Sequence, residues 1–130
     1  MRTLNYWAIL AAALSAFVLG GLWYTLLGPA WRRANHFTDA PPPANTARIF
    51  GISFFLSLIM SFNLAMYLNA PTTTAIFGAA AGFAAGFGWC FMGIGIICLF
   101  ERKPLAYVLI NGGYLTVALT LMGLILGAWR

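Results

Sequence analysis

Apolar residues run unbroken along most of this chain, and polar residues are confined to the breaks between runs. Tyr6–Leu27, Ile49–Ala70, Ala75–Phe100 and Leu105–Trp129 contain no Asp, Glu, Lys, Arg or His. A helix rises roughly 1.5 Å per residue, so about 20 apolar residues cross the ~30 Å hydrocarbon layer. Each run is long enough. A segment in lipid must satisfy its own backbone polar groups, which a helix does and an open strand does not. The pattern predicts an all-α, four-helix transmembrane bundle, with residues 1–130 as a single domain of up-down topology.

The breaks set the connections. A cytoplasmic loop is expected over residues 28–48. It opens with Gly28-Pro29, and Ala30–Phe37 then reads as a short interfacial helix, with Trp31 and Phe37 at headgroup depth and Arg32 and Arg33 toward phosphate. Pro41-Pro42-Pro43 is a stiff extended stretch. The break Pro71–Thr74 is so short that spans two and three are expected to form an antiparallel hairpin. Glu101–Pro104 does the same for spans three and four, with Pro104 at a helix start, where its missing N–H costs nothing.

Small residues recur at helical spacing in every run: Ala8, Ala12, Ala16 and Gly20; Ser53, Ser57, Ser61 and Ala65; Gly78, Gly82 and Gly86; Thr116, Thr120, Gly123 and Gly127. Lipid tails are as apolar as leucine, so helices associate through close backbone approach and interhelical hydrogen bonds. These stripes predict tight packing, with the hydroxyls bonding back to their own helices. Asn63 is expected to hydrogen-bond among Ser15, Thr116 and Thr120. Phe17, Gly20 and Trp23 recur at the same spacing as Phe83, Gly86 and Trp89, a faint internal echo.

Composition agrees with the pattern. Hydrophobic residues make up 62% of the chain and charged residues 7%, against about 25% charged in a soluble domain. The net charge of +5 sits at span ends, where basic residues set topology and meet headgroups, so nucleic acid is not an expected partner. Arg32, Arg33, Arg48, Arg102 and Lys103 fall on one side, and Arg2 and Arg130 on the other. The positive-inside rule therefore places loops one and three in the cytoplasm and both termini outside a plasma (inner) membrane. The first run exceeds the about 7–15 residues of a signal-peptide core, and Trp23 and Tyr24 close it as interfacial aromatics do. It reads as a retained span.

Candidate chemistry is sparse. Cys90 and Cys98 lie about 12 Å apart on one helix, beyond disulfide reach. No carboxylate, lysine or histidine lies at membrane depth to carry a coupled proton. His36 and Asp39 are a lone pair in a polar loop, so no metal is expected, and no cofactor motif is present. Counted from the cytoplasmic ends, one layer about 5–17 Å deep holds Trp23, Tyr24, Ser53, Ser57, Trp89, Asn111 and Tyr114, together with Gly20, Gly21, Cys90, Gly93, Gly95, Gly112 and Gly113. Aromatic walls, missing side chains and a few polar groups make either a small-molecule pocket or a glycine-packed core. The seven non-glycine residues named first are the candidate ligand-binding set.

Three roles fit. The leading one is a non-enzymatic protein that binds or passes a small, mostly apolar molecule or lipid, alone or as a homo-oligomer. A membrane enzyme acting on a lipid or quinone would have to use Tyr24, Asn111 and Tyr114. Phenols and thiols are poor acid–base groups near neutral pH, so no catalytic residue is assigned. The third role is a structural accessory subunit.

Gly21-Leu22-Trp23-Tyr24 and Leu27-Gly28-Pro29-Ala30-Trp31 resemble the first-span signature of a family catalogued as domain of unknown function 1761. Phe100–Pro104, Leu109–Tyr114 and Met122–Trp129 resemble its third-loop and fourth-span signature. The family often carries a histidine after the tyrosine, and Leu115 occupies that place here. The resemblance implies a small four-span membrane protein and brings no activity.

Overall fold

The computed structural model describes residues 4–27, 29–30, 46–70 and 72–129. They form four helices long and apolar enough to cross a membrane. α1 spans Tyr6–Leu26, and Asn5 caps it by accepting from the Ala8 N–H at 3.2 Å. α2 spans Thr46–Tyr67. α3 spans Ala75–Glu101, with Thr74 accepting from the Phe77 N–H at 3.1 Å. α4 spans Leu105–Ala128 behind Pro104. Most of the expected interfacial helix Ala30–Phe37, and all of Pro41–Pro43, lie outside the described residues.

α2 begins and ends earlier than its apolar run. Hydropathy continues through Leu68–Ala70, but the backbone there has already turned. The Ala70 N–H donates to the Leu68 carbonyl at 2.8 Å, and the Thr73 N–H to that of Ala70 at 3.1 Å. The Thr73 hydroxyl also donates to the Leu68 carbonyl at 2.8 Å. A proline at 71 disfavours helical geometry at Ala70, which helps end the helix here. At the other turn Arg102 takes left-handed geometry (φ 57°), and the Lys103 N–H reaches back to the Cys98 carbonyl at 2.9 Å. This is a Schellman closure with arginine where glycine is usual.

In space the helices run α2–α1–α4–α3. α4 is the hub: 44% of its most apolar window is buried, against at most 22% for the others. Ala8, Ala12 and Ala16 of α1 pack in one core with Ala118, Leu119 and Met122 of α4 and Leu64, Ala65 and Leu68 beside them. Asn5 Nδ2 donates to the Trp129 carbonyl at 3.3 Å, so the start of α1 and the end of α4 share one face of the membrane. On α2, fully buried Ser61 donates to the Ile9 carbonyl of α1 at 2.8 Å.

α3 touches α4 through glycine. A methyl group at Gly82 would fall on the Leu119 carbonyl, and one at Gly78 on the Gly123 carbonyl. At Gly86 it would lie 2.6 Å from the Thr116 Cα. Two backbones this close gain dispersion contact that longer side chains would prevent. The antiparallel α2 and α3, although joined by a short turn, do not close against each other. A groove separates them.

Candidate functional site

Two features could carry function. The first joins α1 to α4 on the side of the Glu101–Pro104 turn. Tyr24 Oη donates to Asn111 Oδ1 at 2.6 Å. Asn111 Nδ2 in turn donates to the Tyr107 carbonyl of its own helix at 3.1 Å. Trp23 Nε1 donates to the Ile110 carbonyl at 2.8 Å, and Tyr114 Oη to the Ala16 carbonyl at 3.0 Å. The Tyr24 and Tyr114 rings meet edge to face, with centroids 5.5 Å apart. Gly20 makes room for Tyr114, and Gly113 for Trp23. The structure thus brings four of the seven sequence-predicted residues together, with their polar atoms directed at each other and at backbone carbonyls.

The other three stand apart. Ser57 is buried on α2 and donates to the Ser53 carbonyl at 2.9 Å, while Ser53 itself is exposed. Trp89 is 80% exposed on α3, away from the α1–α4 cluster. A six-residue π-helical turn, Gly86–Phe91, explains its position. One inserted residue rotates everything after it by about 100°, because an α-helix has about 3.6 residues per turn. The face that meets α4 runs Gly78, Gly82, Gly86 and then Phe91, five residues on instead of four. Phe91 lies against Gly112, and a methyl group there would come within 2.5 Å of the ring. Trp89 and Gly93, which an unbroken α-helix would aim at α4, turn away, while Cys90 stays half-buried against the core. Gly93 has open space at its Cα.

The second feature is the groove between α2 and α3. Its volume is about 620 Å³, and its walls include Ile59, Asn63, Ala81, Ala84 and Trp89, with Leu119 of α4 as floor. Cys90 and Tyr67 also line it. A drug-sized ligand pocket typically measures about 300–1,000 Å³. Asn63 corrects its expected role: Nδ2 donates to the Ile59 carbonyl at 2.9 Å, and the residue is exposed in the groove wall. Ser15, Thr116 and Thr120 each bond a carbonyl of their own helix. Depth along α3 sets Trp89 and Cys90 level with the α1–α4 cluster but does not reveal the groove or its alanines. The signal was present in Ala79–Ala81 and Ala84–Ala85, a small-residue face beside the glycine stripe.

Both features lie within residues 7–127, over which the chain matches the family described as Protein of unknown function (DUF1761). The chain belongs to that family. Among curated proteins and among solved structures, nothing matches it. For this DUF1761 member the family assignment agrees with a multi-pass membrane protein. It brings no activity with it, so the geometry must carry any further reading. Among the described residues no cluster of His, Cys, Asp or Glu could hold a metal ion.

Proposed function

We propose that the protein binds a small, mostly apolar molecule drawn from the bilayer into the groove between α2 and α3. The observation that carries this reading is the groove itself: about 620 Å³ of space left between two helices that a short turn could have let pack. Its walls are apolar, and it opens sideways toward lipid, so a molecule already dissolved in the membrane reaches it without crossing water. The α1–α4 cluster of Trp23, Tyr24, Asn111 and Tyr114 serves as the staple that holds the hub. In the same proposal, loops one and three face the cytoplasm across a plasma (inner) membrane, following the five-to-two distribution of basic residues.

The test is to fill the groove. Ala84 is exposed in its wall, so Ala84→Phe should occupy the space without disturbing the buried interfaces. Organic extracts of the purified wild-type protein should contain an apolar molecule near one per chain, and extracts of the variant should lack it. Identical extracts from two folded proteins would overturn the reading.

A further inference from the structure

We infer that the groove selects a neutral amphiphile: a hydrocarbon body carrying an uncharged hydroxyl or carbonyl oxygen that Asn63 or Trp89 receives. This rests on the groove being a binding site and adds the chemistry of its occupant.

Four polar groups line an otherwise apolar wall: the Asn63 amide, the Trp89 indole, the Cys90 thiol and, at the very end of α2, the Tyr67 hydroxyl. Asn63 spends one N–H on the Ile59 carbonyl. Its Oδ1 and second N–H, and the Trp89 Nε1–H, have no hydrogen-bond partner among the described residues. That is expensive in hydrocarbon, where no water can substitute. Position makes the indole the odder of the two. Tryptophan in membrane proteins concentrates at the interfaces. Trp89 instead lies about 21 Å along α3 from Ala75, near the middle of a 27-residue span. The π turn holds it there, and such turns are frequent at functional sites. Asn63 sits one helical turn inside the end of α2, closer to the rim.

The groups present also state what the occupant lacks. Among the described residues no charged side chain lines the groove, so a carboxylate or ammonium drawn to this depth would be unpaired. A pure hydrocarbon would fill the space but leave the amide and the indole unsatisfied. A neutral molecule with a hydroxyl or carbonyl oxygen meets both requirements: its oxygen accepts from the indole N–H or the amide N–H, and a hydroxyl also donates to Asn63 Oδ1.

The experiment compares three probes that share a sixteen-carbon chain. Tritiated hexadecanol, hexadecane and palmitate are titrated onto the full-length protein in phosphatidylcholine nanodiscs. Wild type should bind hexadecanol about tenfold more tightly than hexadecane, the scale of one or two net hydrogen bonds, and palmitate more weakly than the alcohol. Asn63→Leu or Trp89→Phe, at least one of them, should bring hexadecanol down to the hexadecane level while leaving hexadecane unchanged. Equal binding of alcohol and alkane, tightest binding of palmitate, or a preference unmoved by both variants would overturn the inference. Those outcomes would leave the groove standing, provided that Ala84→Phe abolishes all binding. Saturable binding that survives Ala84→Phe, or none in wild type, would overturn the groove reading as well.

Discussion

The Tyr24 hydroxyl donates to Asn111 Oδ1 at 2.6 Å across 87 residues of chain. With the Trp23 and Tyr114 bonds beside it, it fixes the register of α1 on α4. Interhelical hydrogen bonds in membranes contribute about 0.6 kcal/mol on average and up to about 1.7. A double-mutant cycle of Tyr24→Phe and Asn111→Leu, followed by unfolding in mixed micelles, should give a coupling in that range. Strict additivity would show that the bond contributes nothing.

Glycine positions on α3 should respond according to which face they occupy. Gly82→Leu places side-chain atoms on the Leu119 backbone, whereas Gly88→Leu enters open space. Overpacking typically costs about 1–3 kcal/mol. The first variant should lower the melting temperature and separate α3 from α4, as read by cross-linking. The second should match wild type within error.

Removing Gly88 altogether is a sharper test of the π turn. The stripe facing α4 then runs at α-helical spacing from Gly78 to Phe91, so packing should survive. Thermal stability of the deletion should equal or exceed wild type, while saturable hexadecanol binding should fall. A collapsed fold would show that the wide turn is required for the bundle itself.

Arg102 pairs strain with topology. A non-glycine residue in left-handed geometry costs about 1 kcal/mol, so Arg102→Gly should stabilise the protein by about that amount. It also removes one of the basic residues that orient the chain. Orientation is read in a cysteine-free background by Thr72→Cys and Glu101→Cys. An impermeant maleimide should label position 72 from outside intact cells, and only a permeant reagent should label position 101. The opposite pattern would reverse the proposed topology.

Much of the architecture was legible because hydropathy and length leave few alternatives: the four runs became four helices with ends shifted by at most three residues. Glycine spacing identified Gly78, Gly82 and Gly86, and depth counting put Trp23, Tyr24, Asn111 and Tyr114 at one level. Depth counting failed for Trp89 because it fixes height along a helix and not direction around it. A single π turn changed that direction, and nothing in Gly86–Phe91 announces one beforehand. The α2–α3 groove was hidden for a related reason. A short turn requires two helices to be neighbours in sequence, but contact also needs matching faces, and α4 offered α3 the better glycine match. Asn63 shows the limit most plainly: its polarity invited a buried partner, yet it lies in the wall of a groove with its amide bonded to its own helix.

Because α4 holds both α1 and α3, the order of synthesis runs against the order of packing. The bundle's hub is the last of the four spans to leave the ribosome. Until it inserts, the Trp23 and Tyr24 donors on α1 and the glycine face of α3 lack their native partners, and among the described residues the α2–α1 pair is the one substantial native helix contact that can form early. Assembly therefore waits on the final helix and depends on contacts distant in sequence, which form slowly. A chain truncated before Leu105 would leave these surfaces uncovered and available to quality-control proteases or to a separately supplied copy of the missing span.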